Sequence, residues 1–336
     1  MLYWAVCQNS FWRTVFVKHR DVTAEDFTAR LNREILVLDG AMGTMIIQSL
    51  SSQHRKGSDI CSQMSAGSLD RLVLSEPELI KRIHSAYLEA GANIITTNTF
   101  NANRFSISDD KVRDINRNGA ELAREAVDSY CLKNNIPAEK RPIVAGCMGP
   151  TAVSLSKCKD GGCFDAMVDA YAEQAQGLIE GGVDILLLET VFDLRNAEAA
   201  VAGVKMSYQN MCKQLPLVIS ATLNEDGRLY SGHTIEEFVD KFSSSEAIVL
   251  GLNCGCGARK MVSQVERLAE SYHGFIAVYP NAGIPDAHGH YNDIPEMMAM
   301  TLKPLLDKRL IKIIGGCCGT TPEHIRLISD MVKNIS

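Results

Sequence analysis

Two stretches of the chain combine residue types that could hold a metal and activate a sulfur. Gly315-Gly316-Cys317-Cys318-Gly319 sets two adjacent thiols among glycines, and Asn253-Cys254-Gly255-Cys256-Gly257 sets two more with a single glycine between them. Thiolates are ligands for zinc, and glycines let a backbone bend so that neighbouring side chains aim at one point. A buried thiol is also an ordinary small hydrophobe, so a Cys-Cys pair alone decides nothing. Carboxylates form the second group. Asp39 follows the apolar run Ile35–Leu38 and Glu189 follows Ile185–Leu188. A carboxylate in such a place is costly unless it is paired or faces a polar pocket.

A repeated beat positions these residues. Apolar runs recur at Ile35–Met42, Asn93–Phe100, Pro142–Pro150, Val183–Thr190, Leu215–Thr222, Glu246–Cys254, Phe275–Gly283 and Ile311–Cys318. Runs without polar alternation are what strands buried on both faces look like. Between them lie helix-compatible segments, including Glu76–Ala90, Val112–Leu132, Phe164–Gly181, Thr234–Phe242, Ala258–Tyr272, Pro295–Lys308 and Pro322–Ile335. Strand followed by helix, eight times over, predicts a (β/α)₈ barrel in the α/β class. An open doubly wound sheet is the alternative, and no G-x-G-x-x-G follows the first strand to support its dinucleotide form. The first interval is long, and its Ser- and Gly-rich excess, about Gln48–Leu74, reads as an insertion or lid. Residues 1–29 read as a lead-in and 30–336 as the barrel. The apolar stretch Leu2–Val6 is too short for a secretory core.

In a barrel of this kind chemistry gathers at the C-terminal strand ends. Those ends carry Asp39, Asn98-Thr99, Gly149-Pro150-Thr151, Glu189-Thr190, Asn253-Cys254, Asn281 and Cys317-Cys318. The sixth and eighth ends share one mouth, so Cys254, Cys317 and Cys318 can converge. Three thiolates with one open position is the catalytic zinc arrangement. Cys256 is a rival or fourth ligand, or a bystander.

Composition limits the remaining readings. The chain has 336 residues, 46% apolar and 22% charged, and a net charge of −6. That is an ordinary globular composition with no electrostatic case for nucleic acid or an anionic membrane. No apolar run approaches the length of a membrane span. Eleven cysteines in so large a chain suggest reduced thiols in the cytoplasm, some bound to metal.

The strings ILVLDGAMGT at Ile35–Thr44, NTFN at Asn98–Asn101, ETVFD at Glu189–Asp193, LNC at Leu252–Cys254 and GGCCGTTP at Gly315–Pro322 resemble the zinc-dependent homocysteine S-methyltransferase family. The resemblance spans about residues 30–335. Its closest form looks like the homocysteine-binding module at the N-terminus of cobalamin-dependent methionine synthase. It implies a (β/α)₈ barrel and zinc on Cys254, Cys317 and Cys318. It further implies Asp39 and Glu189 on the substrate's amino group, Asn253 among the substrate-binding residues, and backbone amides near Thr44 or Gly149 for its carboxylate. No side-chain general base is needed, because zinc deprotonates the homocysteine thiol before it attacks a methyl donor. The donor implied is methylcobalamin on a corrinoid-binding protein or domain in trans. Betaine or S-methylmethionine is the small-molecule alternative, and a non-catalytic homocysteine- or zinc-binding partner subunit is the other.

The chain departs from the family pattern around the mouth. Ser65–Leu72 replaces a G-N-N-D-L-L-like stretch, Gly255 and Cys256 follow Cys254, and Cys158-x₄-Cys163 occupies an altered loop. That pair reads as two unpaired loop thiols, with a second metal or redox pair as the alternative. His84, His233, His273 and His324 read as packing or surface residues, while His288 and His290 lie in a mouth loop. The cobalamin-type D-x-H-x-x-G motif fails at Asp286–Tyr291, where Tyr291 stands in place of glycine.

Overall fold

Eight apolar runs become eight parallel strands, because segments without a polar face must be covered on both sides. The structure is a computed structural model and describes residues 22–53, 67–158 and 162–335. The strands are β1 (Leu36–Val37), β2 (Ile94–Thr96), β3 (Ile143–Met148), β4 (Ile185–Val191), β5 (Leu217–Ala221), β6 (Ala247–Gly257), β7 (Phe275–Asn281) and β8 (Ile313–Ile314). They form one sheet in the order β1-β8-β7-β6-β5-β4-β3-β2. Its edges meet through a parallel bridge between Leu38 and Ile94, with Asn93 N donating to Val37 O at 2.6 Å and Asp39 N to Ile94 O at 2.9 Å. The sheet is therefore a barrel, as the beat of the sequence predicts.

The helices are α1 (Ala24–Arg33), α2 (Met42–Gln53), α3 (Leu72–Ser75), α4 (Pro77–Glu89), α5 (Val112–Asn134), α6 (Gly162–Glu180), α7 (Leu194–Met211), α8 (Ile235–Phe242), α9 (Ala258–Ser271), α10 (Pro295–Asp307) and α11 (Pro322–Lys333). Their starts follow the chemistry of unsatisfied N–H groups. Thr234 and Glu237 form a capping box on α8, and proline opens α4, α10 and α11. Among the described residues, no helix is long and apolar enough to cross a membrane.

The core has two layers. One joins the outer strand faces to the helices, and the other fills the barrel with Leu36, Leu38, Ile94, Ile143, Ala145, Ile185, Leu187, Val218, Val249 and Ile313. Phe27 and Leu31 of α1 belong to the inner layer and are fully buried. They meet residues at the starts of strands, so α1 closes the N-terminal end of the barrel. Arg30 fixes it there, donating to Arg141 O at 2.7 Å beside the start of β3. Part of the stretch read as an insertion, Gln48–Gln53, is instead the last turns of α2. Residues 54–66 lie outside the described ones. Gly67–Leu72 return to the mouth, where Asn98 Nδ2 donates to Leu69 O at 2.8 Å.

Candidate metal and substrate site

Two irregularities in the sheet aim the key side chains. Between β6 and β7 the register runs from Asn253↔Tyr279 to Gly257↔Asn281, four steps against two. This bulge holds Cys254 at φ 56°, a left-handed conformation that costs a non-glycine residue energy and occurs at functional sites. Between β4 and β5 the register runs from Leu188↔Ile219 to Val191↔Ala221, three steps against two, with Thr190 at φ 58°. Bulges beside active sites re-aim side chains, and these two carry Cys254 and Glu189.

Asn253 joins the two bulges. Its Oδ1 accepts from Thr190 N at 2.9 Å and Ser220 Oγ at 2.8 Å. Its Nδ2 donates to Thr190 Oγ1 at 2.8 Å and lies 3.4 Å from Glu189 Oε2 and 4.0 Å from Cys317 Sγ. This fully buried amide is thus occupied by the protein itself and braces β4, β5 and β6 beneath the site.

At the eighth strand end the glycine-rich turn is locked on both sides. Gly316 N donates to Asp39 O at 3.1 Å, Cys317 N to Pro280 O at 2.8 Å, and Ala282 N to Cys318 O at 3.0 Å. A Cβ on Gly316 would lie 2.5 Å from Thr320 Oγ1, so a side chain there would force the turn apart. The result brings Cys254, Cys317 and Cys318 together, with their sulfurs all within 4.8 Å of one another. The Cys254–Cys318 and Cys317–Cys318 separations are each 4.0 Å. Three sulfurs on a tetrahedral ion with ~2.3 Å bonds stand about 3.8 Å apart, so the donor set fits zinc with little movement.

The electrostatics agree with a cation in this place. Among themselves the three thiols favour one negative charge. Hydrogen bonds from Cys317 and then Cys318 pull the Cys254 thiol down to about 3. The Cys254 partnership pushes Cys318 up to about 12 and Cys317 well above the usual thiol range. A dication removes that opposition, since coordinated thiols deprotonate outright. The Asn281 side chain also bonds Cys254, and its buried Oδ1 has no hydrogen-bond partner among the described residues. Tyr291 lies over the turn from the mouth loop. A Cβ on Gly319, at φ 79°, would fall 2.2 Å from the Tyr291 ring.

Beside the sulfurs lies a pocket of carboxyls. Asp39 is buried and accepts from Thr96 N at 2.8 Å and Thr96 Oγ1 at 3.0 Å, while burial pushes it well above the carboxylate range. Burial likewise raises Glu189 to about 7. A third carboxyl, Asp70, is raised to about 6 by burial and accepts from Asn101 N at 3.0 Å. Sequence reasoning passed over Asp70 because it falls in the segment read as an insertion. Burial, and after it the charges of Glu189, Asp70 and Asp39, raise the Cys147 thiol, so all three carboxyls lie within electrostatic reach of one buried side chain.

Other expectations resolve differently. Thr44 sits half-buried in the first turn of α2, at the mouth. The Gly149 amide, expected to receive a carboxylate, already donates to Phe100 O at 2.9 Å. Cys256 is no fourth ligand in this arrangement, because the bulge turns its thiol outward to Gln264 Oε1 at 3.5 Å. Cys158 and Cys163 are not unpaired. The start of α6 brings Cys163 back to Cys158 and the two form a disulfide. His324 does more than pack. Its Nδ1 accepts from Thr321 N at 3.2 Å, so Nε2 carries the proton and donates to Asp293 O at 2.9 Å, tying the mouth loop to α11. His84 is a buried packing residue, pushed down to about 3 by desolvation.

Residues 36–332 match the family model for homocysteine S-methyltransferase. Among solved structures, the chain is similar to the oxidised form of homocysteine methyltransferase MmuM from Escherichia coli. Identity is 24% and the TM-score 0.72, with 91% of this chain and 99% of that one covered. The metallated form of that protein is similar at 23% identity and a TM-score of 0.71, over the same shares. Likeness at these identities speaks for the fold alone, and the family rests on the model match.

Proposed function

The chain belongs to the homocysteine S-methyltransferase family, whose reaction is methyl transfer to homocysteine, and we propose that it works with zinc held by Cys254, Cys317 and Cys318. The observation that carries this reading is the convergence of the three sulfurs from two strand ends. When bound, zinc supplies the charge that removes the proton from a substrate thiol at neutral pH. The chain's own residues then do the positioning. Asp39 and Glu189 receive the substrate ammonium through charge-assisted hydrogen bonds. The first turn of α2, at Thr44, faces the substrate carboxylate, and helix N-termini favour such anions. With Gly149 N committed to Phe100, that amide contributes by fixing the end of β3. Asn253 contributes by holding Glu189 and Cys317 in register. A substrate sulfur held there would face the open mouth, where it could take a methyl group in line as the demethylated donor leaves with the bonding pair. No side-chain base is required at that moment.

For the donor we take methylcobalamin presented by a separate corrinoid protein or domain, on the methionine-synthase-like string Glu189–Asp193. Methionine formation with methylcobalamin, betaine and S-methylmethionine in parallel identifies the donor. Turnover with a small donor only would replace the corrinoid reading. Zinc or homocysteine binding with no turnover from any donor would favour a non-catalytic partner subunit. The metal site has its own test. The protein should hold about one zinc and Cys318→Ser much less, since three thiolates make the site. Equal zinc in both proteins would remove the assignment.

A further inference from the structure

The carboxyl pocket contains a thiol that the reaction above does not use. Cys147, on β3, is 3% exposed and points its thiol at Glu189, with Sγ 2.7 Å from Oε1. Among the described residues, the other Glu189 oxygen, Oε2, takes the longer 3.4 Å approach of Asn253 Nδ2, with the Tyr279 side chain also against the carboxyl. One carboxylate oxygen is therefore held closely and the other loosely.

Cys147 is itself a rigid peg. Its N–H donates to Thr97 Oγ1 at 2.9 Å and its carbonyl accepts from Thr99 Oγ1 at 2.7 Å. Because the Thr99 hydroxyl proton is spent on that carbonyl, the 2.6 Å contact between the two threonine hydroxyls has Thr97 as donor. The loop leaving β2 thus fixes the backbone of Cys147 through an ordered relay. Burial, reinforced by Glu189, Asp70 and Asp39, keeps the thiol protonated, so it acts as a donor.

We propose that Cys147 is a positioning residue for homocysteine recognition: its thiol holds Glu189 Oε1 and leaves Oε2 to meet the substrate ammonium. This rests on the ammonium-binding role proposed above for Glu189. A thiol is a weak donor and fills a small volume, so it fixes the carboxylate without adding a cation that would compete with the substrate. Cys147 does not touch the reacting sulfur, so its effect belongs in binding and not in the transfer step.

The test compares Cys147→Ala, Cys147→Ser and Glu189→Gln in the zinc-loaded full-length protein, with zinc content measured for each. Loss of one hydrogen bond from a weak thiol donor predicts KM for homocysteine about five- to tenfold higher in Cys147→Ala. Its kcat and zinc content should stay at the wild-type level. Cys147→Ser keeps a donor and should restore KM to within about twofold. Equal KM increases in the Ala and Ser variants would indicate packing and overturn the proposal. An unchanged KM in Cys147→Ala beside a raised KM in Glu189→Gln would overturn it alone, and an unchanged KM in Glu189→Gln would overturn both roles.

Discussion

Asp39, Asp70 and Glu189 are buried together, and among the described residues no cationic side chain contributes to the surroundings of any of them. Each is pushed upward mainly by loss of water. Such a pocket favours a ligand that brings its own positive charge. The sign of the pH effect follows. With Glu189 near 7 in the free protein, a large share of it is protonated below neutrality, whereas an ammonium ligand favours the ionised form. Binding then releases a proton from Glu189, and its contribution to affinity should rise with pH up to about 7 and flatten above it. The slope is at most about tenfold per pH unit. Homocysteine affinities of the zinc-loaded wild type and Glu189→Gln at pH 6, 7 and 8 check this. Both release the substrate thiol proton, so their difference isolates Glu189. Parallel pH profiles would remove it as the titrating group.

At the scale of elements, the site depends on two strand bulges more than on any loop. Thr190 and Cys254 both adopt left-handed backbone, and Asn253 accepts the Thr190 N–H that the bulge frees from the ladder. Asn253→Ala would leave that buried N–H and the Ser220 hydroxyl without their acceptor. At about 1–3 kcal/mol for each unsatisfied group, unfolding free energy should fall by roughly 2–6 kcal/mol. Zinc affinity should fall as well, since Cys254 follows directly in the chain and Cys317 touches the lost amide. Chemical denaturation and metal titration of the variant measure the two effects, and a stable variant with full zinc affinity would contradict the bracing role. These features also mark where sequence reading stops. The eight strands were legible because each apolar run stands alone, and the three converging cysteines because the strand count places their ends at one mouth. The bulges were not legible, because Thr190 is not the glycine that usually signals such a turn and its compensation comes from Asn253, 63 residues away. The Cys158–Cys163 pairing depends likewise on where α6 begins, and the role of Asp70 on a return to the mouth that composition alone reads as an insertion.

As a whole molecule, the barrel has one end given to stability and the other to chemistry. Phe27 and Leu31 of α1 pack among Leu36, Ile94, Ile143, Ile185 and Ile313 at the starts of the strands. The sulfurs and carboxyls lie at the opposite ends, fixed by their own hydrogen bonds to neighbouring strands. The two functions should therefore separate under mutation. Phe27→Ala removes a fully buried ring and leaves a cavity that rigid strands cannot readily fill. The expected loss is about 3–5 kcal/mol of unfolding free energy, a large part of the roughly 5–15 kcal/mol of a typical protein. Denaturant unfolding should show an earlier midpoint, while zinc per folded molecule and homocysteine KM stay unchanged in native buffer. A fall in zinc or a rise in KM while the variant is still folded would mean that the plug is coupled to the mouth through the barrel interior. The stacked residues Leu36, Leu38 and Tyr279 of the inner layer would then be the place to look for the connection, since Tyr279 lies beside Glu189.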